Sequence, residues 1–510
     1  MKRTRQFLYL VALITFCFYT HSKAQKTYPN IIIIYVDDLG YGDIGVNGAI
    51  GVKTPYVDKL ASNGINFTDA HASAATCTPS RYSLITGSYA FRNRAGILNG
   101  NAPLIIDTEM RTLPDMLKDA GYTTGVVGKW HLGLGDGNTD WNGRVEPGPK
   151  EVGFDYSFLI PATGDRVPTV FLEDQKVVGL DTEDPISVNY KTPVDNGYPL
   201  GRDHPELLKQ YADGQHLGAV TNGISRIGYM KGGESALWVD EKIPFVLSEK
   251  AVRFIEASKQ QPFFLFFSLH DIHQPRIANV RFIETSTMGP RGDVIAQMDW
   301  CVGEITNKLK SLAIEDNTIV IFTSDNGPIL DDGYLDYARE LVGRHTPGGP
   351  YRGSKYSIYE AGTRMPTIVS WPGEIRPGTS HALLSQVDLY ASLARLVGEK
   401  LNKGDAPDSE DHLDAWLGKE QEGRKVLFEQ AYAYGLRKDK YKYIQPKQRD
   451  EIPGWLKNKF VDPGFSTIPM LFDLEKDPGE TNNIAEENVA LVKEMEEHLN
   501  KILSAPTREK

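Results

Sequence analysis

Ile31-Ile32-Ile33-Ile34-Tyr35-Val36-Asp37-Asp38 is an unbroken apolar, largely β-branched run that ends in two carboxylates. The same arrangement returns three times. Residues 123–127 lead into Gly128-Lys129-Trp130-His131, residues 263–267 into His270-Asp271-Ile272-His273, and residues 318–322 into Asp325-Asn326-Gly327. Helical patterns lie between these runs, from Thr54-Pro55 to Gly64 and over 113–121 and 294–312, and a further one follows over 386–397. Such alternation predicts an α/β fold, a large mixed, mostly parallel sheet sandwiched by helices. Ligands bind beyond the carboxyl ends of strands in open sheets of this kind, so the four polar clusters are predicted to meet in one crevice.

Outward from these strands the pattern changes. Residues 135–242 are irregular and rich in Gly, Pro, Asp and aromatic residues, as befits long loops over a site, and selectivity for a substrate is expected there. A polar stretch over 398–423 reads as a boundary. Beyond it, short strands at 425–429, 441–444 and 470–474 and an amphipathic helix at 489–503 make a smaller C-terminal α+β subdomain. The division expected is a catalytic domain over 25–415 and a subdomain with a small antiparallel sheet and terminal helix over 416–510. Ahead of both, Lys2, Arg3 and Arg5 precede an apolar stretch at 7–19 and Ser22-Lys23-Ala24, the layout of a signal peptide over 1–24. No other apolar run approaches membrane-spanning length, so an exported chain, periplasmic or secreted, is expected.

Composition narrows the chemistry. The 510 residues are 40% hydrophobic, enough for a sizeable core, and the net charge of −11 without a basic run argues against nucleic acid or an anionic membrane as partner. Recognition of an anionic substrate must then be local. Cys77 and Cys301, the two cysteines beyond the signal, are too few for a disulfide framework. Met298, Cys301, Val302, Ile305 and Leu309 share one helical face, which makes Cys301 a core residue. Cys77 has no such pattern around it.

Asp37, Asp38, Asp325 and Asn326 offer a hard-oxygen set suited to calcium or magnesium, although Asp and Asn also simply turn a chain after a strand. Lys129, His131, His270, His273 and Lys355 supply positive charge and donors for a tetrahedral anion. Cys77-Thr78-Pro79-Ser80-Arg81 begins a helix opened by Pro79 and closed by Gly87, which would favour a thiolate or anion at Cys77; a buried free cysteine is the plainer reading. Asp136, Asn138, Asp140 and Asn142 alternate like a calcium loop, but Trp141 stands where such a loop needs glycine, so a loop alone is read there.

Residues 77–87 resemble the first signature of the formylglycine-dependent sulfatases, the type I sulfatases of the alkaline phosphatase superfamily. Gly128-Lys129-Trp130-His131-Leu132-Gly133 is similar to the second signature. The resemblance continues through Asp37-Asp38, His273-Gln274-Pro275, Ser324-Asp325-Asn326-Gly327, Arg352-Gly353-Ser354-Lys355, Tyr359-Glu360-Ala361-Gly362 and Leu471-Phe472-Asp473-Leu474, so it covers essentially the whole mature chain.

The resemblance implies that a formylglycine-generating or anaerobic sulfatase-maturating enzyme oxidises Cys77 to formylglycine. The hydrated aldehyde would attack sulfur and form a covalent sulfated enzyme, with Asp37, Asp38, Asp325, Asn326 and residue 77 around a Ca2+ ion. Arg81 would support that shell. Lys129, Lys355 and His273 would grip the sulfate, His273 would also protonate the leaving alkoxide, and His131 would act as the base that expels sulfate. Thr163 resembles a sulfate-contacting serine position of some relatives. A sulfated carbohydrate is the expected substrate, with a galactose or N-acetylgalactosamine sulfate as the narrower expectation, and Asp165, Arg166, Glu173, His270 and His345 join Thr163 as candidate substrate contacts. Two alternatives compete: a phosphomonoester or phosphonate ester hydrolase of the same superfamily, and a noncatalytic protein that binds sulfated glycans.

Overall fold

The strand Asn30–Val36 lies inside a ten-stranded sheet and is buried along its whole length. A computed structural model describes residues 28–447, 454–457 and 459–505; the signal peptide read over 1–24 lies outside the described residues. From one edge the order is Gly378–Ser380, Gly64–Phe67, Thr367–Ser370, Thr318–Ser324, Asn30–Val36, Phe263–Ser268, Thr123–Lys129, Tyr156–Ile160, Leu172–Glu173 and Lys176–Val177. The five strands from Thr318–Ser324 to Tyr156–Ile160 are mutually parallel, and antiparallel pairings begin on either side of them.

The period-two geometry of a strand explains why the apolar run has no polar face. Ile31, Ile33 and Tyr35 enter one core, with Tyr82, Leu84, Leu113, Met116 and Leu393 from helices Cys77–Thr86, Leu113–Asp119 and Leu389–Val397. Ile32, Ile34 and Val36 enter the other, against Leu247, Ile255, Met298, Cys301 and Ile305 of helices Ile243–Ser258 and Gly289–Ser311. Each such side chain contributes about 1.5–3 kcal/mol through burial, and truncation of Ile33 to alanine would cost about 2–5 kcal/mol with its cavity.

The long helix starts at Gly289, five residues ahead of the predicted 294. Pro290 presets its first turn, while Arg291 and Asp293 in that turn bond Asp43 and the Ser286 loop, so the apolar period that marks the helix begins only at Val294. The C-terminal sheet has four antiparallel strands, Val426–Gln430, Tyr434–Lys438, Tyr441–Ile444 and Met470–Asp473. Tyr434–Lys438 escaped prediction, since Gly435 and two basic residues dilute its apolar signal. The helix Val489–Ser504 covers this sheet through Met495 and Leu499. Buried charges bond the sheet to the larger body, with Lys442 Nζ 3.0 Å from oxygens of both Glu360 and Glu429.

Candidate active site

The carboxyl ends of four adjacent parallel strands deliver the four polar clusters to one place, as the sequence pattern predicts. Asp37 and Asp38 follow Val36, Lys129 ends its own strand, His270 and His273 follow Ser268, and Asp325 and Asn326 follow Ser324. The helix Cys77–Thr86 begins beside them with Cys77 in its first turn; Gly87, at φ 63°, closes it. Asp38 and His131 hold left-handed backbone at φ 60° and 53°, a conformation costly for residues with a side chain and found at functional sites.

Charges interlock around Cys77. Lys129 Nζ lies 2.7 Å from Asp37 Oδ2. Lys355 Nζ donates to Asp38 Oδ2 at 2.9 Å and to Asp332 Oδ2 at 3.0 Å. Arg81 donates to Asp325 Oδ2, to the Lys129 carbonyl at 3.1 Å and to Ser268 Oγ at 2.5 Å. Asp37, Asp38 and Asp325 each bring an oxygen within 4.8 Å of the others. Asp37 Oδ1 and Asn326 Oδ1 are buried without any hydrogen-bond partner, an expensive state for hard acceptors. Burial and the neighbouring carboxylates push the Asp37 carboxyl up to about 8 against the pull of Lys129. This donor set fits a hard divalent cation.

Burial also decides the state of the other groups. It pushes the Cys77 thiol up to about 12 although Lys129 and Lys355 pull downward, so the predicted preference of a helix start for thiolate is overridden. An unmodified Cys77 is therefore a thiol at neutral pH. His131 is held well below the usual imidazole range by burial and then by Lys129 and Arg166, and so stays neutral. Its Nε2 faces the Leu98 carbonyl at 3.0 Å and its Nδ1 has no partner, which leaves Nδ1 free to accept a proton. His273 is also held well below that range, by burial, Lys355 and Lys129, with Nδ1 2.5 Å from the Gln274 carbonyl. It must gain a proton before it can donate one to a leaving group.

A small pocket opens at these groups, lined by Cys77, His131, His273 and Lys355 together with Asp165 and Arg166. Asp165 and Arg166 come from the irregular stretch, with Arg166 2.7 Å from Asp165 Oδ1. Thr163 sits behind them and bonds both side chains. His270 is buried against Gly164 with Nδ1 unpartnered, outside the pocket lining. Glu173 and His345 are not brought to the pocket, contrary to their expected role as substrate contacts. Glu173 pairs with Lys250 at 2.6 Å and Tyr156 at the far edge of the sheet, and His345 holds Asp43 at 2.9 Å next to Arg291. Asp136 and Asp140 cap their own turns, as a plain loop does. Asp332, Tyr356, Gln215, His216 and Ile97 complete the lining and were not predicted. The acid pair Asp331-Asp332, soon after Asp325, was the available signal for the first of these; His216 carried none.

The sequence pattern of the family described as Sulfatase matches residues 29–399. N-acetylgalactosamine-6-O-sulfatase of Bacteroides thetaiotaomicron is 49% identical over 502 residues, which cover 96% of this chain and 97% of that protein. Human arylsulfatase A is 31% identical over 89% of this chain and 83% of its own length. A solved structure from the metabolism of multiple glycosaminoglycans by Bacteroides thetaiotaomicron superposes with a TM-score of 0.91 at 49% identity, over 94% of this chain and 99% of that one. With agreement of this extent in sequence and in fold, the chain belongs to the sulfatase family and is a sulfuric ester hydrolase.

Proposed function

We propose that this chain removes sulfate from a sulfated saccharide, with a 6-sulfated N-acetylgalactosamine or galactose as substrate. It would use formylglycine made from Cys77 by a maturating enzyme and Ca2+ held by Asp37, Asp38, Asp325 and Asn326. The sugar rests on the 49% identical relative, whose name is N-acetylgalactosamine-6-O-sulfatase. The carrying observation is the convergence of Cys77, Lys355, His131 and His273 on one small pocket beside the oxygen cluster.

Formylglycine would supply a hydrated aldehyde as nucleophile, and calcium the polarisation of a sulfate oxygen. Each residue of the chain then has a role. Arg81 fixes Asp325 and the end of the Lys129 strand, so that the oxygen donors stay in register. Asp37, Asp38, Asp325 and Asp332 pair with Arg81, Lys129, Lys355 and Lys459, so a bound divalent ion would add positive charge to the site and favour an anionic ester. Lys129 and Lys355 orient sulfate oxygens. As the bound anion works against burial and the two lysines, His273 would take a proton from solvent and pass it to the leaving oxygen. Neutral His131 accepts a proton on Nδ1 in the step that frees the sulfate. Asp165 and Arg166, on the same lining, would contact sugar hydroxyls.

The N-terminal signal pattern supports export to the periplasm or beyond, and the charged seam at Glu360 and Lys442 supports a division of the chain near residue 415. The test is a screen of saccharides sulfated at single defined positions, with conversion of Cys77 verified by peptide mass spectrometry. Sulfate release from the 6-sulfated regioisomer is expected. Release solely from another regioisomer would overturn the substrate, and no release by fully converted protein would overturn the reading.

A further inference from the structure

Asp332 lies outside every motif that marks the site, yet it holds a cation on each of its oxygens. Oδ2 takes Lys355 Nζ at 3.0 Å, and Oδ1 takes Lys459 Nζ at 2.7 Å. The Tyr356 hydroxyl reaches the same carboxylate at 3.0 Å, and Gln274 Oε1 accepts from the Asp332 amide at 2.7 Å. Lys355 in turn is shared between Asp332 and Asp38, at nearly equal distances.

Lys459 reaches this point from the other subdomain. It belongs to the connection between strands Tyr441–Ile444 and Met470–Asp473 of the small sheet. Leu456 and Val461 anchor that connection in a cluster with Ile329 and the pocket-lining Tyr356, and the Trp455 ring meets the Tyr356 ring edge-on at 5.1 Å. The C-terminal connection therefore packs behind the pocket, against its lining residues Asp332 and Tyr356.

We propose that Lys459 is a positioning residue for sulfate binding, acting through Asp332 on Lys355. The proposal rests on the reading of Lys355 as a sulfate contact. A carboxylate as buried as Asp332 needs its charge matched, and two cations on separate oxygens, at 3.0 and 2.7 Å, share that task. Without Lys459, Asp332 has Lys355 as its remaining cation and pulls that ammonium off Asp38 and away from the sulfate. In a dry site a displaced charge is felt strongly.

The test is calorimetric binding of inorganic sulfate to the full-length protein, which needs no turnover and no conversion of Cys77. Lys459→Gln, which can still hydrogen-bond Asp332 but carries no charge, is expected to weaken sulfate binding about tenfold, the scale of one charge-assisted contact, with little change in melting temperature. Lys459→Arg is expected to restore binding to within about twofold of the parent. In converted protein, KM should rise by the same factor as the sulfate dissociation constant. Equal sulfate binding by parent and a folded Lys459→Gln would overturn the proposal, as would failure of Lys459→Arg to rescue. Should Lys459→Gln not fold, Lys459→Met is read in its place by the same two outcomes. A parent that binds sulfate but turns over no ester defeats the functional reading and leaves this inference to be judged on its own binding data.

Discussion

Arg81 places two donors on one oxygen of Asp325, Nε at 3.0 Å and a terminal nitrogen at 2.7 Å, and leaves Oδ1 with the Asp38 amide at 3.3 Å. The guanidinium thus turns one edge of the carboxylate toward itself and the other toward the cluster. A lysine cannot reproduce this fork, because its ammonium is a point charge on a flexible stem. Arg81→Lys is expected to lower kcat/KM by about a hundredfold, the scale of roughly 3 kcal/mol from a lost charge-assisted pair. Calcium should also bind more weakly. Steady-state kinetics and calcium titration, with conversion of Cys77 held equal, check both.

Much of this geometry was legible because two demands coincided in the same residues. A parallel strand buried on both faces must be apolar throughout, so Ile31 to Val36 advertised both its conformation and its end, and the polar residues just past that end lay where an α/β sheet puts its ligands. Short strands on one side of the sheet, such as Gly64–Phe67 and Thr367–Ser370, carried too few residues for a period to show. Asp332 was hidden because Asp-Asp-Gly in a loop has the composition of any turn. Glu173 and His345 misled for the converse reason. A polar side chain in an irregular stretch of sequence looks alike whether its partner is a sugar or, as here, Lys250 and Asp43.

Asp37 Oδ1 and Asn326 Oδ1 predict a calcium-dependent stability. An ion that binds the folded state alone stabilises it by about 2.7 kcal/mol at a hundred times its dissociation constant. Chelation should therefore lower the melting temperature and calcium should restore it. Asn326→Ala removes one of the two unpartnered oxygens and should abolish most of that shift. A melting curve indifferent to calcium in the parent protein would rule out the ion at this cluster.

His131 predicts a division between first and later turnovers. Its unpartnered Nδ1 is the acceptor proposed for the step that frees the sulfate, after the alcohol has already left. In His131→Ala the first equivalent of alcohol should appear rapidly, followed by a stall, with steady-state kcat lower by about 10²–10⁴-fold. Rapid-quench measurements with an aryl sulfate separate the two phases. Equal slowing of the burst and the steady state would assign His131 to an earlier step.

Asp271 predicts a pH dependence of folding that is independent of catalysis. Its Oδ1 accepts from Gln297 Nε2 at 2.9 Å, but its buried Oδ2 has no partner, and burial raises the carboxyl from 3.8 to about 6. The folded chain therefore keeps this proton to a higher pH than the unfolded chain does. Stability falls as the pH rises from about 4 to about 6 and stays lower above, by at most roughly 3 kcal/mol. Asp271→Asn imitates the protonated form at every pH. It should raise the melting temperature at pH 7.5 and change it little at pH 4, where Asp271 is already largely protonated in the fold. Differential scanning calorimetry at the two values decides the matter: a gain that is the same at both would show that the carboxyl charge is not what destabilises this position.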